Sequence, residues 1–157
     1  MLDIKLRYTT VPIGETGPET AIAMSGCCYI NPKYRNLFTP EIERWINNYF
    51  DQTTNGVQII DGKAITLFCI SQSNCMPGDK FDKCLGEKIA RSKSKIKIYH
   101  FMKNLCDKII SEFMLLLNGH DFVTTISPNR DSIFADYIKY QDLETEERIY
   151  LKKLINK

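Results

Sequence analysis

The residues best placed to do chemistry are cations on a stretch that reads as a helix. At ~100° per residue, four of them fall within an arc of roughly 80° on a helical wheel: Lys80, Lys88, Arg91 and Lys95. Lys93 and Lys97 lie in the same stretch. A cationic strip of this kind can bind phosphates or an acidic protein surface. The alternative interpretation is a solvated helix face without a partner.

Charge is segregated along the chain. Residues 80–108 contain nine Lys or Arg and three Asp or Glu, a local net charge of +6, whereas the whole chain of 157 residues carries only +2. The remainder is therefore acidic on balance. The positive charge is therefore segregated on this stretch rather than merely abundant, and both interpretations of the strip stay open.

Patterns for catalysis or for metal binding are weak. His100 and His120 are the only histidines, and neither stands in a motif typical of a catalytic triad or a metal site. Asp79 and Asp82 resemble paired acids, but helix capping explains both. The six cysteines form no Cys-x-x-Cys motif, so we expect reduced, mostly buried thiols. We expect no catalytic residue, metal or cofactor, and the balance leans away from an enzyme.

A β-hairpin followed by a helix would position the cations. Residues 57–60 and 63–71 are rich in β-branched side chains and flank Asp61-Gly62, which is typical of a tight hairpin turn. Asp79 is then the expected N-cap of the helix. Its apolar stripe is predicted to be buried and consists of Phe81, Leu85, Ile89 and Ile96.

Beyond Tyr99 the apolar residues change side on the wheel. Three explanations stay open: a bend near His100, a second half covered from two sides, or a homodimer formed through the 99–117 helix. A continuous helix over 80–117 would be about 57 Å long, which is long for a domain of this size.

The flanking segments complete the fold prediction. Strands are expected at 2–10 and 21–30, and a helix begins at Thr39-Pro40, with Trp45 on its apolar face. Beyond the long helix we expect a short strand at 122–126 and helices at 131–140 and 144–155. The prediction is one α+β domain over residues 1–157, an antiparallel sheet of about four strands with helices packed on one face. Its element order is β-β-α-β-β-α followed by C-terminal helices.

One segment resembles a known group of proteins. The run Cys75-Met76-Pro77-Gly78-Asp79-Lys80-Phe81-Asp82, with Gly86, Ile89 and Ala90 after it, resembles small uncharacterised proteins of bacteriophages and prophages. In that group a hairpin precedes a Pro-x-Asp-x-Phe-Asp loop and a Gly-x-x-Ile/Leu-Ala helix. The strand-to-helix join is also similar to that of double-stranded-RNA-binding domains. The resemblance covers about residues 62–98 and implies a phage or mobile-element origin.

These observations predict a non-enzymatic accessory protein that binds nucleic acid with its basic helix. The alternative is an anti-defence or host-modulating protein that inhibits a host protein through the same basic face. No apolar run approaches the ~20 residues that a membrane span needs, and residues 1–5 lack the apolar core of a signal peptide. The expected location is therefore the cytoplasm, without membrane contact.

Overall fold

The computed structural model describes residues 7–11, 21–30, 38–49, 55–60, 64–74, 82–117 and 123–156, and within them the side chains of 38–49, 69, 71–74, 82–115 and 131–156. The elements in chain order are β1 (Arg7–Val11), β2 (Ala21–Ile30), α1 (Pro40–Asn48), β3 (Asn55–Ile60), β4 (Ala64–Asn74), α2 (Lys83–Leu117) and α3 (Val123–Ile155). Predicted positions outside these ranges, including Lys80, Phe81, Asp79 and His120, lie beyond the described residues.

The strands pair along their backbones in the order β1-β2-β4-β3, each pair antiparallel. β4 is central, with Cys27 of β2 opposite Phe68 and Ile60 of β3 opposite Ala64. α2 packs against β2 and β4 on one side and against α3 on another. The long helix therefore lies between the strands and α3.

The predicted fold class is wrong, because the described part of the protein is mainly helical. It made an antiparallel sheet the main layer, with helices packed on one face. Of the residues described down to their side chains, 87% lie in three helices, and the only strand segment among them is the later part of β4. The described core is accordingly helical, and its centre is the pairing of α2 with α3.

α1 begins as its sequence predicts. The Thr39 hydroxyl accepts a hydrogen bond from the backbone N–H of Ile42 at 3.3 Å, and Pro40 occupies the first turn, where its missing N–H costs nothing. Ile42 and Ile46 are fully buried. Trp45 is half-buried and stacks on Phe101 of α2 with ring centroids 5.8 Å apart. The predicted place of Trp45 on the apolar face of the helix agrees with this packing.

α2 starts at Asp82 rather than at the expected Asp79. The Asp82 carboxylate accepts from the backbone N–H of Leu85 at 3.0 Å, the geometry of an N-cap. The carbonyl oxygen of Asp82 also accepts from the N–H of Gly86 at 2.9 Å. Asp82 therefore caps α2 and does not lie in its first turn.

α2 is a single helix of 35 residues, with no interruption near His100. Its second half is covered from two sides. α1 places Tyr49 against Phe101 at 5.0 Å between ring centroids, and α3 places Tyr140 near Tyr99 at 6.4 Å. The apolar residues between Tyr99 and Ile109 are buried inside the chain, so this part of the surface predicted for a 99–117 homodimer is occupied. Met114 and Leu115, farther along the helix, are exposed.

The predicted buried stripe of α2 is also incorrect in detail. Leu85, Ile89 and Ile96 are only partly buried. The buried positions in this half are small residues, Ala90, Ser92 and Ser94, together with Ile98. Small side chains allow the backbones of neighbouring elements to approach α2 closely. The Ser94 hydroxyl donates to the carbonyl oxygen of Cys69 in β4 at 3.1 Å, and the Ser92 hydroxyl donates to the carbonyl oxygen of Glu147 in α3 at 3.5 Å.

The C-terminal third is one helix of 33 residues. The predicted strand at 122–126 and the separation of 131–140 from 144–155 are wrong, because residues 123–155 are continuous. Within residues 131–155 the local preference for a break is overridden by a buried face, which supplies most helix stability in proteins. The buried residues Ile133, Tyr140 and Leu154 form that face.

The cysteine prediction holds for two of the three thiols whose surroundings are described. Cys69 and Cys106 are buried, whereas Cys84 is exposed, and all three are free. Burial, reinforced by the nearby Asp136 carboxylate, raises the pKa of Cys106 to about 12. Cys27, Cys28 and Cys75 lie outside the described side chains.

Candidate nucleic-acid interface

The cations of α2 lie on two opposite sides of the helix. At ~100° per residue, Lys88, Arg91 and Lys95 share one arc, and Lys93 with Lys97 lie roughly 160° away. Contacts agree with this division. Lys95 reaches Glu147 of α3, with Nζ 3.2 Å from Oε2, whereas Lys93 donates to the backbone oxygen of Gln72 in β4 at 2.9 Å.

The predicted solvent-facing strip is therefore incomplete. Lys88 and Arg91 are exposed. The Lys95 side chain is only 29% exposed and is paired with Glu147, whose side chain is 12% exposed. Lys80 lies outside the described residues. A partner approaching this side meets Lys88 and Arg91, which are exposed, and beside them Lys95, which is paired with Glu147.

On the other side, an open groove forms where β4, α2 and α3 meet. Its volume is about 540 Å³. Three cations line it: Lys93 and Lys97 from α2 and Arg148 from α3. The remaining lining residues are Ser71, Gln72, Ile96 and Leu151. Lys93, Lys97 and Arg148 will be called the groove cations.

Glu144 holds Arg148 in place. Its carboxylate accepts from Arg148 through Nε at 3.0 Å and Nη2 at 2.6 Å, and it also pairs with Lys103 at 3.3 Å and His100 at 3.2 Å. Burial by itself would raise the pKa of Glu144, but the hydrogen bonds from Arg148, His100 and Lys103 outweigh it and hold the pKa below its usual value. Glu144 is therefore ionised at neutral pH and restricts the guanidinium beside the groove.

A polar network extends from Glu144 to α1. His100 faces Glu144 through Nδ1, and its Nε2 lies 3.2 Å from the Asn104 amide nitrogen, which also donates to the Tyr49 hydroxyl at 2.7 Å. This arrangement fits an imidazole protonated at Nδ1, which donates to the carboxylate and accepts from Asn104. Both ring nitrogens are engaged within the protein. The network accordingly links α1, α2 and α3.

The two long helices run antiparallel. Contacts pair Ser92 with Glu147, and farther along α2 they pair Tyr99 with Tyr140. Residues 82–97 and 147–156, which share one end, contain nine Lys or Arg and three Asp or Glu, a net charge of +6. Residues 105–117 and 123–138 at the other end carry −2. Antiparallel packing therefore brings the cations of α3 to the same end of the helix pair as the cations of α2.

Two features of this site were not predicted from the sequence. Arg148 lies 51 residues beyond Lys97 in the sequence, and only the helix pairing brings the two to one groove. Its i,i+4 spacing from Glu144 is that of an ordinary helix-surface pair. The second feature is the burial of Ser92 and Ser94, which a pattern of apolar residues cannot predict because serine is polar. Ser94 lies on the side of α2 that approaches β4, and Ser92 lies on the side that approaches α3.

Comparisons with known proteins give no relative: no family model, curated protein or solved structure matches the chain. Within the described ranges, none of the helices combines the length and apolar composition that crossing a membrane requires. The described side chains also contain no group of three or more His, Cys, Asp or Glu that could hold a metal ion.

Proposed function

We propose that the protein is a non-enzymatic nucleic-acid-binding module of phage-like or mobile-element origin, acting in the cytoplasm. The observation that carries the proposal is the convergence of the groove cations, Lys93, Lys97 and Arg148, from two helices on one open groove. Phosphate contacts by Lys and Arg supply most of the sequence-independent affinity for nucleic acid.

The geometry suits phosphate better than a small acidic ligand. The groove is open and lies at the end of the α2–α3 pair whose net charge is +6, of which the groove cations supply half, so an extended anion can follow the surface beyond the groove. Lys88 and Arg91 lie on the far side of α2, and a single straight duplex cannot contact both sides together. The groove side is therefore the proposed primary interface, and Lys88 with Arg91 are secondary.

Charge-matched variants test this assignment. Fluorescence anisotropy with labelled duplex DNA, duplex RNA and single strands would be measured at about 50 to 200 mM salt. Each phosphate contact contributes about 0.9 to the slope of log affinity against log salt for B-DNA. Lys93→Gln/Lys97→Gln should reduce that slope by up to about 1.8, whereas Lys88→Gln/Arg91→Gln should reduce it less.

The control removes the same charge elsewhere. Lys108→Gln/Lys139→Gln alters two lysines outside the cationic end and should leave the slope nearly unchanged. Equal losses in all three double variants would mean that only net charge matters and would reject the groove. If the unmodified protein binds no nucleic acid at low salt, the proposal fails. The acidic surface of a host protein then becomes the leading partner, and a lysate pull-down with the groove variant would test it.

A further inference from the structure

α3 carries an apolar stripe on the side that faces away from α2. Phe134, Ile138 and Ile149 are 55%, 44% and 50% exposed. With Thr145 they occupy an arc of roughly 60° at ~100° per residue, and these four residues will be called the outer stripe. The buried residues Ile133, Tyr140 and Leu154 point to the opposite side.

A solvated helix face is ordinarily polar. Here the outer stripe spans 15 residue steps, about 22 Å of helix. Phe134 stacks on the neighbouring Tyr137 with ring centroids 6.3 Å apart and an interplanar angle of 15°, which extends the apolar surface sideways. The exposed apolar residues form two patches, Phe134 with Ile138 and then Ile149, separated by the exposed residues Gln141, Asp142 and Thr145. Exposed apolar patches aligned on one helix face and rimmed by polar residues are typical of a contact site.

The charged residues at the two ends of the outer stripe indicate what kind of partner can bind there. Asp131 lies before its first residue, and Lys152 and Lys153 lie beyond its last, all of them exposed. The face is therefore acidic at one end and basic at the other. A second copy of the same face, placed antiparallel, satisfies both ends at once, whereas a parallel copy would place like charges together.

We propose that the protein forms an antiparallel homodimer through the outer stripe of α3. A two-fold axis between residues 141 and 142 places Phe134 opposite Ile149 and Ile138 opposite Thr145 of the second copy. The same register places Asp131 opposite Lys152, twice in the dimer. An isologous contact of this kind uses one patch on both subunits and closes upon itself.

Sedimentation velocity of the full chain, from about 1 to 100 μM, measures the proposed association. The unmodified protein should sediment as a dimer at the upper concentrations. Ile138→Glu should weaken association by about ten- to a hundredfold, because it places an unpaired charge in the apolar contact. Met114→Gln alters an exposed apolar residue of α2 outside the stripe and should leave association unchanged.

Charge reversal tests the orientation. Asp131→Lys and Lys152→Asp should each weaken the dimer, and combining them should restore it. Restoration is expected for the antiparallel register, in which these two positions meet. Failure of the double variant to recover would overturn that register. An unmodified protein that stays monomeric throughout the concentration range would overturn the dimer itself, and neither result depends on nucleic-acid binding.

Discussion

At the residue scale, Glu144 does most to fix the geometry of the candidate site. It is buried, and it accepts from Arg148, His100 and Lys103 together. A buried carboxylate is costly unless it is paired, and here three partners converge on it from two helices. Glu144 therefore links the placement of a groove cation to the packing of α2 against α3.

Replacing Glu144 by Gln tests this link. The change keeps the shape but removes the charge, and we expect the free energy of unfolding at pH 7 to fall by about 1.5–3 kcal/mol. Glu146→Gln, an exposed neighbour on α3, is the matched control and should have little effect. Urea unfolding of both variants and of the unmodified protein provides the measurement.

The pH dependence of that difference follows from the pKa of Glu144. The folded-state pKa lies below the ordinary value of 4.5, so the ionised form is favoured by folding. The stabilisation is complete above the ordinary pKa and is lost as pH falls through the folded pKa. The gap between the unmodified protein and Glu144→Gln should therefore shrink below about pH 4.5. A gap of equal size at pH 7 and in strong acid would contradict the assigned role.

At the element scale, Asp82 sets where α2 begins. Its carboxylate is bonded to the Leu85 N–H at 3.0 Å, and it also places a negative charge at the positive end of the helix dipole. The capping residue therefore lies three positions beyond the expected Asp79. The Asp82 cap should therefore contribute measurably to the free energy of unfolding.

Asp82→Ala should lower the free energy of unfolding by about 1 kcal/mol, because the N-terminal N–H groups lose their acceptor. Asp82→Ser keeps an acceptor and should recover most of the loss. Asp107→Ala, within α2 and exposed, serves as a charge-matched control. An Asp82→Ala variant as stable as the Asp107→Ala variant would place the functional cap elsewhere.

At the scale of the whole molecule, α2 is the element that contacts both the strands and α3. Its neighbours are β2 and β4 on one side and α3 on another, with α1 closing part of the second half. Ile98 lies fully buried in the middle of this arrangement. Stability should therefore depend more on the middle of α2 than on either end of the helix pair.

Ile98→Ala should reduce the free energy of unfolding by about 2–5 kcal/mol, through lost burial and the cavity left behind. Ile155→Ala makes the same chemical change at a side chain that is 58% exposed and should cost about 0.5 kcal/mol or less. Thermal unfolding followed by circular dichroism compares them. Similar losses in the two variants would show that α2 is not the centre of the core.

The sequence by itself determined the features that depend on neighbours along the chain. The Thr39 cap with Pro40 is one, because its contact spans three residues. The excess of cations on the α2 stretch is another, since it is a matter of composition. Both follow from local chemistry, and no folding partner is needed to place them.

Only the tertiary structure decided the rest. Residues 131–155 belong to one helix because a buried face against α2 outweighs the local signal for a break. The helical period places Lys93 and Lys97 opposite Lys88, Arg91 and Lys95, but the packing of β4 and α3 decides that Lys93 contacts β4 and Lys95 contacts α3. Arg148 joins the groove for the same reason: antiparallel packing brings together residues about fifty positions apart, a distance over which sequence periodicity carries no information.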